Sequence, residues 1–275
     1  MTQDHVGFAP CGFKSRPRHQ EAEVSLRFFL EVRSLKETTL FETKLFCGTR
    51  EEFCRLLEKR LEQGEKTFVV TMNASILLAA IENEEYRNVI NEADVVIPDG
   101  AGVVWALKFL RGLSTERFPG IEIMTYLCEL SKEKGWKVYL LGAKEENVRT
   151  ATGNLKNQGV NVVGFHNGYF QDEEEVVRDI NEKRPHLLFV GMGVPKQELW
   201  IHKNFPRLEV VLAMGVGGSI DVISGKKRRA PKWIQAMNLE WLYRFFQSPL
   251  NKRRVPIQIA KFVFYVFREK LKKKN

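Results

Sequence analysis

Residues 67–99 read TFVVTMNASILLAAIENEEYRNVINEADVVIPD, and this stretch decides the fold class. Thr67–Thr71 is a short run rich in β-branched side chains, which pack well on a pleated surface and lose rotamer freedom in a helix. From Ala74 the pattern turns helical, and Asp94–Ile97 is a second β-branched run. The same order recurs downstream. Lys137–Leu141 ends in Gly142 and leads into helical sequence over Glu145–Asn157, and Val160–Phe165 follows as a strand. Leu187–Val190 ends in Gly191-Met192-Gly193, and Val210–Met214 ends in Gly215-Val216-Gly217-Gly218. Strands alternating with helices predict an α/β fold with a mainly parallel sheet and helices on both faces. Upstream, Thr49 with Glu52 three residues later is the start signal of a helix that runs to Leu61 and stops at Gly64. Residues 21–46 carry apolar groups without a clean period.

The chain of 275 residues is 44% hydrophobic and 28% charged, which excludes a disordered or fibrous protein. Cys11, Cys47, Cys54 and Cys128 have no metal-finger or CxxC spacing and read as reduced thiols. The start of the chain lacks an uninterrupted apolar run, so export is not expected, and no run of 18 apolar residues predicts a membrane-spanning helix. The net charge of +9 is unevenly placed: residues 226–275 carry 15 Lys and Arg against Glu240 and Glu269 alone, and the remainder is net acidic. Such a basic segment either meets phosphate, on a nucleic acid, an anionic lipid or a substrate, or is a solvated helical face. The expected division is a loosely ordered leader (1–40), a Rossmann-like α/β core (41–230) and a basic helical appendage (231–275).

In open parallel sheets, ligands bind outside the carboxyl ends of the strands. That rule singles out Asn73, Asp99, Gly142-Ala143, Gly191–Gly193 and Gly215–Gly218. Glycine lets backbone approach a ligand closely, and free N–H groups at helix starts favour phosphate. Three glycine-rich strand ends therefore point to a nucleotide-type site. Neither GxGxxG nor GxxxxGK[ST] occurs, which disfavours a dinucleotide dehydrogenase and a P-loop ATPase. No HExxH or DxD occurs, so no metal is expected, and His166 and His186 read as polar contacts of the fold. Asp99, between Pro98 and Gly100, is either a general base or the cap of the following helix. Thr71 and Asn73 can orient a substrate hydroxyl, and Arg117 lies in a loop where a cation can face developing negative charge. In GMGVPKQELW (191–200), Pro195 suits the first helical position, which leaves Lys196 and Gln197 in the first turn. Lys196 there is either a contact for an anion or sugar, or a surface lysine.

The segments TMNASIL (71–77), ADVVIPDGAGVV (93–104), RFPGIE (117–122), FHNGYF (165–170), VGMGVPKQELWI (190–201), MGVGGSIDVISGKKRRAPKW (214–233) and LEWLYRFFQSP (239–249) resemble the WecG/TagA/CpsF glycosyltransferases over roughly residues 65–255. The resemblance implies a metal-independent, inverting transfer of N-acetylmannosamine, or a related sugar, from a UDP-sugar donor. The acceptor it implies is a polyprenyl-diphosphate-linked sugar at the cytoplasmic face of the bacterial membrane, in synthesis of teichoic acid linkage units or similar polymers. It matches Asp99 to the base, Thr71 and Asn73 to polar residues beside it, and Arg117 to the arginine of the active-site loop. It further matches Gln197 to the glutamine of PKQE, and Arg244 and Arg254 to basic residues of the appendage. The substrate-binding set is completed by Gly142, Ala143, Gly191, Gly193, Lys196, Gly217, Gly218 and Asp221. The chain departs from the family pattern at residues 40–48 (LFETKLFCG), at Glu122, where aspartate is usual, and at Leu250-Asn251, where an arginine pair is common.

Residues 256–275 predict a basic amphipathic helix, suited to an anionic membrane surface or to docking on the domain. The membrane is preferred because the implied acceptor is a lipid. A nucleic-acid-binding module using Phe262, Phe264, Tyr265 and Phe267 to stack bases is the competing class. It is disfavoured because the basic residues are terminal and the strand-end loops are not basic, so no nucleic-acid partner is expected. An inactive partner in a membrane synthase complex is a third reading, opposed by the intact Asp99. A homo-oligomer is compatible with the sequence.

Overall fold

The structure, a computed structural model, describes residues 36–237, 240, 242–243 and 255–272. It opens with a hairpin of strands β1 (Glu37–Leu40) and β2 (Thr43–Phe46), which form a two-stranded antiparallel sheet of their own. Phe41 and Glu42 make the turn with φ of 50° and 59°. β1 thus falls inside the stretch expected as leader. Helix α1 (Arg50–Glu62) follows, with the expected reciprocal cap: the Thr49 side chain accepts from the Glu52 N–H, and the Glu52 carboxylate accepts from the Thr49 N–H.

Six strands then build the main sheet: β3 (Thr67–Met72), β4 (Val95–Pro98), β5 (Val138–Gly142), β6 (Val162–His166), β7 (Leu187–Gly191) and β8 (Leu212–Gly215). Their spatial order is β4-β3-β8-β7-β5-β6, and every pairing is parallel. The crossovers run through α2 (Ala74–Glu82) and α3 (Glu84–Glu92), α4 (Ala101–Arg111) and α5 (Gly120–Lys134), α6 (Glu145–Asn157), α7 (Glu173–Lys183) and α8 (Lys196–Asn204). After β8 come the short α9 (Ser219–Ile223) and α10 (Lys232–Ala236), and the long α11 (Val255–Lys272).

Successive strand residues point to opposite faces, so a strand covered on both sides must be apolar throughout. β7 shows it: Leu188 and Val190 enter one buried cluster, Leu187 and Phe189 the other. The expected doubly covered parallel sheet is therefore the observed one. α11 docks by one face. Phe262 and Val266 are buried in the cluster lined by α2 and α4, and Gly102 makes room: a Cβ there would lie 3.3 Å from the Phe262 ring. Lys261 pairs with Glu82 at 2.5 Å, and the Lys270 ammonium donates to the Phe109 carbonyl at 2.8 Å. Phe267 is half exposed, its ring against Phe109 and Trp105 of α4 at centroid distances of 5.3 and 6.3 Å, and the opposite face leaves Ile257, Phe264 and Leu271 exposed. No helix among the described residues is long and apolar enough to cross a membrane.

Candidate active site

The parallel order sets the carboxyl ends of β4, β3, β8, β7 and β5 side by side, and the loops that leave them form one continuous rim. Register puts Met72 opposite Pro98, so Asn73 and Asp99 leave adjacent strands at the same level. The N–H groups of Asp99 and Gly100 both donate to the Met72 carbonyl, at 2.8 and 3.3 Å. Gly100 packs against Asn73, where an added Cβ would come within 3.3 Å of its Cα.

Asp99 does not act as the cap of the helix that follows. The N-cap of α4 is Gly100, which offers no side chain, and the Asp99 Oδ1 instead accepts from the Gly120 N–H at 3.1 Å, at the start of α5. A carboxylate beside a helix N-terminus is favourably placed by the dipole. Asn73 does act as a cap: its side-chain oxygen accepts from the N–H groups of Ser75 and Ile76 at 2.9 and 3.2 Å. Thr71 is buried, its hydroxyl donates to the Gly215 carbonyl at 2.9 Å, and it lies under Gly120. Thr71 and Asn73 therefore brace the rim around Asp99 through these bonds.

The glycine loops interlock. Gly142 has φ 136° and Ala143 φ 56°, and the Ala143 N–H donates to the Gly191 carbonyl at 3.0 Å. Gly193 and Gly217 also take left-handed φ, 82° and 51°, and the N–H groups of both donate to Oε1 of Gln197, at 3.2 and 3.1 Å. Three loop amides expected to face phosphate are thus already engaged within the rim. Pro195 caps α8 rather than occupying its first position, and Gln197 and Glu198 of the first turn are buried. Lys196 is an exposed lysine whose ammonium donates to the Gly168 carbonyl at 2.8 Å and lies 5.3 Å from the Phe170 ring centroid, which leaves donors of the same ammonium for an anion or sugar. Gly218 precedes α9, whose Asp221 accepts from Asn147 at 2.8 Å and pairs with Lys227.

Two further features of this rim have no direct signature in the sequence. The first is a buried carboxylate, Glu198, which accepts from Gln197 Nε2 at 2.6 Å and from the Tyr86 hydroxyl at 2.9 Å. Burial pushes its carboxyl up to about 7, against the opposing pull of these hydrogen bonds. The second is a chain of alternating charges. Arg117 pairs with Glu240 at 3.1 Å, Glu240 meets Arg229 at 3.5 Å, Arg229 pairs with Glu122, and Glu122 pairs with Arg50 at 2.8 Å. Burial opposes the charge on Glu122, but the Arg229 and Arg50 guanidiniums outweigh it and hold the carboxyl below its ordinary range. Arg229 and Glu240 come from the chain after β8, so the network fastens the start of the appendage over the Asp99–Gly120 corner. The RFPGIE and KKRRAPKW motifs were the available signals, but neither says that its charges meet. Arg244 and Arg254 lie outside the described residues.

No group of three or more His, Cys, Asp or Glu positioned to hold a metal occurs among the described residues. His186 serves the fold, accepting at Nδ1 from the Lys137 N–H at 3.1 Å.

The pattern of the WecG/TagA/CpsF glycosyl transferase family matches residues 38–275. The chain belongs to this family. Its relatives include a Bacillus spizizenii protein, 34% identical over 76% of this chain and 81% of the relative, and a Bacillus subtilis protein, 31% identical over 81% and 88%. A Staphylococcus aureus protein is 40% identical over 64% of this chain and 70% of the relative. All three are named N-acetylglucosaminyldiphosphoundecaprenol N-acetyl-β-D-mannosaminyltransferase. The family match begins at Thr38, so it takes in the hairpin despite the departure at residues 40–48.

Proposed function

We propose that this chain transfers N-acetylmannosamine from a UDP-sugar to N-acetylglucosamine carried on a polyprenyl diphosphate, in synthesis of a cell-envelope polymer such as a teichoic acid linkage unit. The observation that carries this reading is the corner where Asp99 hangs from the start of α5, with the Arg117 and Arg229 guanidiniums drawn together beside it by Glu240 and Glu122. The relatives' names supply the sugar and the acceptor.

The chemistry needs a base and a place for leaving-group charge. Asp99 takes the proton of the acceptor hydroxyl as its oxygen attacks C1 of the donor sugar. The bond from C1 to the UDP oxygen breaks with inversion, and the electron pair leaves on UDP. Preorganised guanidiniums stabilise that developing charge without reorganisation at the moment of reaction. The proposed reaction uses no divalent metal. The exposed apolar residues of α11, with the exposed Arg268 and Lys272 on the same helix, suit peripheral attachment to an anionic membrane surface. The competing use of the tail aromatics to stack bases loses Phe262, which is committed to the domain.

UDP release from UDP-N-acetylmannosamine, measured with a short-chain polyprenyl-diphosphate-N-acetylglucosamine acceptor, tests the proposal. Acceptor-dependent release that persists in EDTA is expected. Release that EDTA abolishes and Mg²⁺ or Mn²⁺ restores would overturn the metal-free reading, and no acceptor-dependent release at all would overturn the transfer itself.

A further inference from the structure

We propose that Glu198 is a positioning residue of the donor site: through the Gln197 amide it fixes the spacing of the two glycine loops that follow β7 and β8. The inference rests on the reading that these loops take the UDP moiety. It begins from a buried side chain that the transfer chemistry leaves unused. Glu198 is 1% exposed and Gln197 2%, an unusual burial for two polar residues in the first turn of a helix.

Their hydrogen bonds form a single directed chain. The Tyr86 hydroxyl, from α3, donates to Glu198 Oε2 at 2.9 Å, and Gln197 Nε2 donates to Glu198 Oε1 at 2.6 Å. Glu198 Oε1 accepts in either protonation state, because a neutral Glu198 can direct the proton on Oε2 to the Tyr86 hydroxyl, which accepts as well as donates, whereas an amide has one donor end and one acceptor end. Glu198 Oε1 therefore dictates which way the Gln197 amide faces. With its nitrogen turned to Glu198, its oxygen is aimed at the N–H groups of Gly193 and Gly217, which donate to it at 3.2 and 3.1 Å. One atom thereby ties the β7 loop to the β8 loop.

The need for such a tie follows from the loops themselves. Gly193 and Gly217 adopt left-handed backbone that glycine reaches freely and also leaves freely. Gly215 completes the arrangement: a Cβ there would sit 2.9 Å from Gln197 Nε2 and 3.4 Å from Glu198 Oε1, so the absent side chain is the space the pair occupies. The Gly215 carbonyl is also the acceptor for Thr71. Strand ends β3, β8 and β7 are thus linked in series, and Glu198 sets the polarity of the last link. Without it the Gln197 amide can turn over, which would set its NH₂ group against two N–H donors and push the loops apart.

The test uses the full chain with Glu198→Ala, Glu198→Gln and Tyr86→Phe. Glu198→Ala should weaken UDP binding and raise the UDP-sugar KM by about tenfold, the scale of a lost charged hydrogen bond, while kcat at saturating donor stays within about threefold. Glu198→Gln should restore most of the affinity, because its Oε1 still accepts from Gln197 while its NH₂ group faces the Tyr86 hydroxyl. Tyr86→Phe should leave the Gln197 contact, and donor affinity, nearly intact. Hydrogen exchange at the Gly193 and Gly217 amides gives a readout that needs no nucleotide: faster in Glu198→Ala, near wild type in Glu198→Gln. Unchanged exchange in Glu198→Ala overturns the inference whether or not UDP binds, and so does loss of affinity that merely tracks a lowered Tm. If the wild-type chain itself fails to bind UDP, the donor-site reading falls, and the exchange result still decides the role of Glu198.

Discussion

Asp99 is the residue on which the reading turns. Replacing it with asparagine keeps an oxygen for the Gly120 N–H but removes the base, so transfer should fall about 10²- to 10⁴-fold while UDP affinity holds. Near-normal turnover in a steady-state assay would make Asp99 an anchor for α5 and no more. Asp99 was legible in the sequence because Pro98 and Gly100 mark a strand end, where a lone carboxylate stands out. Glu198 was not, because an acidic residue in the first turn of a helix ordinarily serves the dipole in solvent; only the packing of α8 against the sheet and α3 buries it. That burial has a pH signature. The folded-state value is raised from 4.5 to about 7, so between those values the native chain holds a proton that the unfolded chain has released. Stability therefore falls as pH rises through this window, by on the order of 3 kcal/mol if Glu198 acts alone. The groups that hydrogen-bond it are the Tyr86 hydroxyl, the Gln197 amide and its own backbone N–H. Glu198→Gln should be more stable than wild type at pH 8 and about equal at pH 5 in urea unfolding. An equal difference at both values would show that Glu198 does not titrate in this range.

At the scale of elements, the six parallel strands could be read directly: the buried strands are short β-branched and apolar runs, and β5, β7 and β8 end in glycine, while the half-buried edge strand β6 was marked by Val160–Phe165. The β1–β2 hairpin could not. Its turn uses Phe41 and Glu42 at positive φ, where Asn-Gly or Asp-Gly would have announced it. The charge network could not be read either, since Arg50, Arg117, Glu122, Arg229 and Glu240 are brought together only by the fold. It couples the corner at Asp99 to the chain after β8. Glu240→Ala leaves Arg117 and Arg229 less well paired in a largely buried setting, and should cost about 1–3 kcal/mol in chemical unfolding. Arg117→Ala should lower turnover more than it lowers stability if, as proposed, its charge faces departing UDP. A proportional loss of both would make Arg117 a structural cation.

At the scale of the molecule, α11 docks on the domain, one of the two roles the basic tail left open. It packs on α2 and α4 through Phe262 and Val266, and leaves Ile257, Phe264 and Leu271 exposed on its other side. Removing the chain from about Asn251 onward would therefore uncover the groove that Phe262 fills, and the truncated core should be less stable than the full chain. Phe262→Ala should cost about 3 kcal/mol or more in unfolding. Phe264→Glu, on the exposed face, should change stability by less than about 0.5 kcal/mol yet weaken sedimentation with anionic vesicles. Vesicle binding unaffected by Phe264→Glu would assign α11 to packing alone. A structure of the full chain with UDP bound decides whether the rim of strand ends is the sugar-nucleotide site. UDP should lie on the rim, against the loops at Gly142, Gly191–Gly193 and Gly215–Gly218, with its diphosphate toward Arg117 and space for a sugar in front of Asp99. UDP bound away from these loops, or with its diphosphate remote from Arg117 and Asp99, would contradict it.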